Sequence, residues 1–208
     1  MELYDAILTG NAKKAEQVTL AALAANVDPV ELLDKCMVPA MDEAGKRFEC
    51  NEYFVPELLI AARAMKTALA ILTPKLAAAG AKAAGRVVIG TVQGDLHDIG
   101  KNLVASMLEG GGFKVVDLGV DVPPAKFVEA VKGQEGSIVA LSALLTTTMT
   151  QMKAVIESLK AAGLRDTTRV MIGGAPITQQ YAEEIGADGY SDNASSAVAL
   201  ARKLVAGS

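Results

Sequence analysis

The chain has 208 residues, 51% apolar and 21% charged, enough for one sizeable domain or two small ones with separate cores. Lys and Arg number 20 against 24 Asp and Glu, a net charge of −4, and aromatics are only 4% with no Trp; this counts against nucleic acid as a partner. No apolar run reaches the ~18 residues of a membrane span, MELYDAILTG lacks an export leader, and two cysteines, Cys36 and Cys50, are too few for a disulfide framework or a zinc site, so the expectation is a cytoplasmic protein with reduced thiols and no membrane partner.

Residues 1–80 read as helices only. Asp28 followed by Pro29 is an N-cap with proline at the first helical position, opening VELLDKCMVPAMDEAG. Pro39 is expected to kink or reset that helix, and a loop, KRFECNEYF, is expected after Gly45. VPELLIAARAMKTALAIL then spaces Leu58, Ala62, Met65, Leu69 and Leu72 as one apolar stripe of a packed helix, with Pro74 near its end. Small residues from Gly80 to Gly85 read as a linker. The expected organisation is a helical domain over 1–80, a linker over 81–85 and a second domain over 86–208.

From Arg86 short apolar strands alternate with helices. RVVIGTV, FKVVDLGV, SIVALSA and RVMIGGAP read as strands, and a fifth lies near Gly189-Tyr190. Helices are expected in KNLVASMLEG, AKFVEAVKG, TQMKAVIESLKAAG, ITQQYAEEIG and SSAVALARKLV, the first stopped by Gly110, Gly111 and Gly112. Strands apolar on both faces within βα units predict an α/β fold: a five-stranded, doubly wound parallel sheet of the Rossmann-like (flavodoxin-like) type. The common order of such a sheet is 2-1-3-4-5, with a ligand crevice at the carboxyl ends of strands one and three.

Loops after strands one, three and four should therefore meet at one cleft. The first holds Gly94, Asp95, Leu96, His97, Asp98, Ile99 and Gly100; the second Ser142, Leu144, Thr146 and Thr148; the third Gly173, Gly174 and Ala175. His97 is the only histidine. A lone histidine is more often a satisfied core or surface residue than a ligand. Here Asp95 precedes it by two positions, and a carboxylate bonded to one ring nitrogen presents the other to a metal. One imidazole does not hold a bare Zn²⁺, but it suffices as axial ligand to a metal already held by a macrocycle. The first loop is not G-x-G-x-x-G, and its carboxylates would repel a pyrophosphate, so a dinucleotide enzyme is disfavoured. Thr147 and Thr150 read as capping hydroxyls for the helix after Met149. Gly173-Gly174 reads either as a tight turn or as bare backbone approached by a large ligand.

Asp95-x-His97-x-x-Gly100, then Ser142-x-Leu144, then Gly173-Gly174, each after its own strand, resembles the signature of cobalamin-binding Rossmann-like domains. GDLHDIGKN and DLGVDVP are similar to the cobalamin module of cobalamin-dependent methionine synthase, and FECNEYFVPELLIAARAMKTAL is similar to its helical cap. The likeness covers most of the chain. For two domains of this size it implies the corrinoid methyl-carrier protein of multi-component methyltransferase systems, a subunit that is not catalytic alone. Asn51 stands where the cap loop is expected to carry glycine, and asparagine tolerates a left-handed backbone. Thr148 stands where methionine synthase has serine, and the hydroxyl is kept.

The resemblance implies cobalamin or a related corrinoid bound base-off/His-on, with His97 on cobalt, Asp95 orienting His97, and Thr148 extending that relay. Gly94, Leu96, Asp98, Ile99, Gly100 and Leu144 fall within the cofactor-binding motifs. Ser142 and Thr146 would contact the nucleotide tail, Gly173, Gly174 and Ala175 would leave room for it, and Ala194 would meet the corrin. Co(I) would take a methyl group from an N-methyl or O-methyl donor. Methyl-Co(III) would favour the axial base, so His97 would bind and release across the cycle, protonation of the relay favouring release. Phe54 is expected to shield the methyl face; Leu58 and Met65 read as the same shield or as bundle core. The implied partners are a substrate:corrinoid methyltransferase, a second methyltransferase acting on tetrahydrofolate or a thiol, and a reductive activator of Co(II), docking being served by a hinge at residues 80–85.

Two other classes stay in view. A cobalamin-dependent regulator or light sensor needs a DNA-binding module, for which the helical half offers no spare length. The small subunit of a carbon-skeleton mutase would resemble the second half alone. The resemblance admits methanol, methylamines, betaines and aryl methyl ethers as donors, a choice made by the partner methyltransferase's pocket.

Overall fold

The structure, a computed structural model, describes residues 2–207. The first elements are helices: α1 (Glu2–Leu8), α2 (Ala12–Ala24), α3 (Pro29–Leu32), a π-turn over Leu33–Met37, α4 (Val38–Glu49) and α5 (Val55–Ala78). Then come β1 (Arg86–Thr91), α6 (Ile99–Gly110), β2 (Lys114–Asp117), α7 (Pro124–Val131), β3 (Ser137–Ser142), α8 (Thr150–Ala161), β4 (Arg169–Gly173), α9 (Gln179–Ile185), β5 (Gly189–Tyr190) and α10 (Ala194–Ala206). The chain divides into two compact units, one running through Ala83 and taking in Glu109–Gly112, the other made of Ala84–Leu108 and the chain from Phe113 on. Among the described residues no helix is long and apolar enough to cross a membrane.

In the helical unit the caps follow local chemistry. Asn11 accepts from the Lys14 amide at 3.0 Å and Asp28 from the Val30 amide at 2.9 Å, with Pro29 first in its helix. Glu57 reaches back to the Phe54 amide at 2.9 Å to start α5. Leu58, Ala62, Met65 and Leu72 of the α5 stripe are buried, while Leu69 is half-buried. The helix runs on through Pro74 to Ala78.

One local expectation is corrected here. The segment Lys46–Glu49 is helical, not loop, because Arg47 Nε bonds Glu43 Oε1 one turn back at 2.9 Å and the Cys50 amide reaches Lys46 O at 2.9 Å. Gly45 is a buried position inside α4; the helix instead stops at Asn51, whose φ of +58° gives the left-handed turn, with the Glu52 amide on Arg47 O. Just ahead of Pro39 the winding resets, as expected: a π-turn over Leu33–Met37 separates α3 from α4. This turn pairs the Val38 amide with Leu33 O, so Pro39 falls in the first turn of α4, where an N–H has no intrahelical partner to lose.

The second unit is built on an all-parallel sheet in the order β2-β1-β3-β4-β5. Five consecutive residues of β1 and of β3 are buried, as a sheet covered by helices on both faces requires. Val88, Val139, Leu141, Val170 and Ile172 pack with Phe127, Met152, Ile156 and Leu159 in one continuous core. The order reverses between β1 and β3. A crevice therefore opens at their carboxyl ends, where the first, third and fourth strand loops emerge.

Candidate functional site

The loop after β1 is built around a carboxylate with no access to solvent. Asp95 is 0% exposed and accepts five hydrogen bonds. Its Oδ1 takes the His97 amide at 3.1 Å and His97 Nδ1 at 2.7 Å. Its Oδ2 takes the Leu144 amide at 2.8 Å, the Leu145 amide at 3.3 Å and Thr148 Oγ1 at 2.6 Å. Burial alone would raise this carboxyl's pKa. The hydrogen bonds from Thr148, from the Leu144 amide and from His97 outweigh it and hold Asp95 well below the usual carboxylate range. Asp95 is thus an anion at neutral pH, and the proton it shares with His97 resides on Nδ1.

The imidazole itself is half in solvent, its side chain 51% exposed. Nδ1 is engaged; Nε2 has no hydrogen-bond partner among the described residues. Its own loop and the turn after β3 expose large apolar side chains: Leu96 is 71% exposed, Ile99 is 80% exposed, and Leu144 and Leu145 are exposed as well. Solvent-facing Leu and Ile in these loops are what a large, flat, mostly apolar ligand would cover. A Cβ on Gly100 would meet nothing within 4 Å, so the surface at the start of α6 is open.

The structure brings Asp95, His97, Leu144 and Thr148 into direct contact or one bond apart. Ser142 ends β3, and its carbonyl accepts the Val92 amide at 3.0 Å; Thr146 lies exposed in the turn that follows. Gly173 ends β4, and Gly174 follows with a φ of +137°. A Cβ there would lie 1.9 Å from Ala143 O, so this glycine has a packing reason of its own, the close approach of the third and fourth strand loops. Ala175 is exposed; Ala194 is buried as the first residue of α10. In the helical unit Phe54 is 62% exposed, whereas Leu58 and Met65 are interior residues of the bundle.

The capping expectation for the hydroxyl run is not met. Met149 is the N-cap of α8 and makes no side-chain cap, while Thr150 Oγ1 reaches Thr147 O at 3.3 Å. Sequence reasoning also missed three supports of the loop. Thr91, buried at the end of β1, donates Oγ1 to His97 O at 2.8 Å. Lys101, buried on α6, binds Asp117 at 2.5 Å, and Asp117 accepts the Gly119 amide. Asp121 bonds the Gly94 amide at 2.7 Å. The strand-end position of Thr91 was the one available signal. Among the described residues no group of three or more His, Cys, Asp or Glu side chains could hold a metal ion, so His97 is a solitary donor.

Two family models described as B12 binding domain match the chain, over residues 85–199 and over residues 2–73. The chain is 48% identical over 197 residues to the trimethylamine corrinoid protein of Methanosarcina barkeri, covering 94% of this chain and 91% of that protein. It is 44% identical over 208 residues to the dimethylamine corrinoid protein of the same organism, covering 99% and 96%. A chain of the methanol:cobalamin methyltransferase complex MtaBC from Methanosarcina barkeri matches with a TM-score of 0.88 and 30% identity, over 100% of this chain and 79% of that one.

Proposed function

The chain belongs to the B12-binding corrinoid proteins, and we propose that it carries methyl groups on a bound corrinoid between the methyltransferases of a multi-component system. One observation carries the reading. The only imidazole of the chain is fixed through Nδ1 by a buried carboxylate, and the ring is half in solvent in a loop that exposes Leu96 and Ile99. That donor set suits a cobalt already held by its macrocycle, and it suits no bare ion.

When bound, the corrinoid supplies a cobalt that accepts and releases the methyl group. The residues do the rest. His97 Nε2 would hold the cobalt in the base-off/His-on mode, and Asp95 holds the ring's orientation and tautomer. Thr148 and the Leu144 and Leu145 amides keep Asp95 ionised, so Nε2 is the ring site at which a proton would compete with the metal. Leu96, Ile99 and Leu144 would exclude water beneath the macrocycle. Gly94, Asp98 and Gly100 shape the same loop, Ser142, Thr146, Gly173, Gly174 and Ala175 would line the path of the nucleotide tail, and Ala194 would meet the corrin. Both near relatives carry an amine in their names, which supports a methylated amine as donor. The expected partners are a substrate:corrinoid methyltransferase, a methyltransferase for tetrahydrofolate or a thiol, and a reductive activator.

The test uses the solitary histidine. Protein grown with ¹⁵N-histidine is loaded with unlabelled cobalamin, reduced to Co(II) and examined by EPR. A doublet on each cobalt line is expected from a single ¹⁵N ligand. A triplet would mean that the cofactor's own base stays on cobalt, and overturns the role of His97; no retained cobalt overturns the carrier reading itself.

A further inference from the structure

The His97 loop is braced on two sides, and the Asp95–Thr148 relay accounts for one of them. That relay ties the loop to the segment after β3. On the opposite side lies the turn after β2, which stays sewn to the end of β1. The Leu118 amide bonds Ile89 O at 2.8 Å, the Thr91 amide bonds Gly119 O at 3.0 Å, and the Val122 amide bonds Thr91 O at 3.0 Å. Asp121 finishes this seam with two bonds of opposite sense. Its Oδ1 accepts the Gly94 amide at 2.7 Å, and its own amide donates to Asp95 O at 3.0 Å.

The backbone at Asp121 has a φ of +51°, a conformation that aspartate adopts more readily than most residues but still at some cost. Gly94 opposite has a φ of +81°. Two left-handed residues thus face each other across the seam, immediately before the carboxylate that aims His97. Thr91 Oγ1 on His97 O adds a third tie to the same frame.

We propose that Asp121 is a positioning residue for His97: by clamping Gly94 and Asp95 to the turn after β2, it fixes how far the imidazole stands out toward the cobalt. The clamp acts through geometry more than charge, because Asp121 lies at the surface. The inference rests on His97 being the cobalt ligand.

Two variants separate this role from a merely structural one. Asp121→Gly keeps the left-handed backbone and the amide but removes the acceptor; Asp121→Asn keeps the acceptor. In the cofactor-free protein, hydrogen exchange at the Gly94 amide is expected to quicken about tenfold in Asp121→Gly and to stay near wild type in Asp121→Asn. In ¹⁵N-histidine protein loaded with cob(II)alamin, the pH at which half of the doublet is lost is expected to rise by about 0.7 unit in Asp121→Gly, a fivefold weaker hold on cobalt against the proton, with Asp121→Asn restoring it. An unchanged midpoint in Asp121→Gly overturns the proposal, even if the protein melts at a lower temperature. Absence of the doublet in the wild type removes the premise and the proposal together, whereas a wild-type doublet with an unshifted variant removes the proposal alone.

Discussion

In the helical unit side-chain hydrogen bonds mostly close within one turn, from Arg47 to Glu43, Thr67 to Arg63 and Thr73 to Leu69, with Tyr53 to Leu8 an exception. Around His97 they span the fold: Asp121 to Gly94 across 27 positions, and Thr148 to Asp95 across 53. The first unit keeps its polar groups local and leaves cohesion to buried Leu, Met and Ala. The second makes long-range polar contacts, and those at Asp95, Asp121 and Thr148 hold one small loop in place. Stability and positioning are therefore separable, and substitutions should pull them apart.

The largest loss of stability is expected from Leu58→Ala, which leaves a cavity in the bundle at a residue with no exposed surface. About 2–5 kcal/mol should be lost in a urea titration, with the ¹⁵N doublet of the loaded protein unchanged. If the doublet weakens as well, the two units are not independent in the way their hydrogen bonds suggest.

Thr148→Val sharpens the contrast from the other side. It removes the foremost of the hydrogen bonds that lower the Asp95 pKa, and should cost about 1–3 kcal/mol at neutral pH. The pH dependence has a definite sign. The folded carboxyl titrates below its unfolded value of about 3.9, so its contribution is complete above that value and is lost as pH falls beneath it. The unfolded value is common to both proteins and the variant's folded value lies nearer to it, so the stability deficit should narrow only as pH falls below about 3.9, through the variant's folded value, in denaturant titrations. A deficit that stays constant would mean that Thr148 supports packing and not the charge.

His97→Ala should move stability least, by no more than about 1 kcal/mol, because the ring is half in solvent. The nitrogen splitting at cobalt should nevertheless vanish. A melting temperature that falls as far as that of Leu58→Ala would erase the distinction between the two regions.

The same difference explains what was legible in the sequence. The sheet order and the convergence of three loops followed from strand periodicity, since a doubly wound sheet admits few alternatives. Asp95 beside His97 was visible because the two are neighbours in the chain. Asp121 was not, because a left-handed aspartate in a turn looks like any turn residue until its distant partner is known. Lys101 was passed over for a similar reason: a lysine in an amphipathic helix reads as solvated, and its burial against Asp117 is a tertiary fact. Gly45 misled by chemistry of its own. Glycine commonly ends helices, but here it sits inside α4 and Asn51 makes the stop.

The π-turn at Leu33–Met37 works as a phase corrector. Leu32 and Met37 are five residues apart, which in a uniform α-helix would set their side chains roughly 140° from each other. Both are buried, because the wider turn takes up close to one extra residue and brings the two onto the same side. Met37 then leads into Ala40, Met41 and Ala44 at ordinary helical spacing, all of them interior. The run from Pro29 to Glu49 therefore carries two amphipathic patterns that no single helical wheel can align, joined where the winding changes. Loss of one residue within this turn would shorten the rod only slightly, yet it would reset the angular offset between the faces on either side.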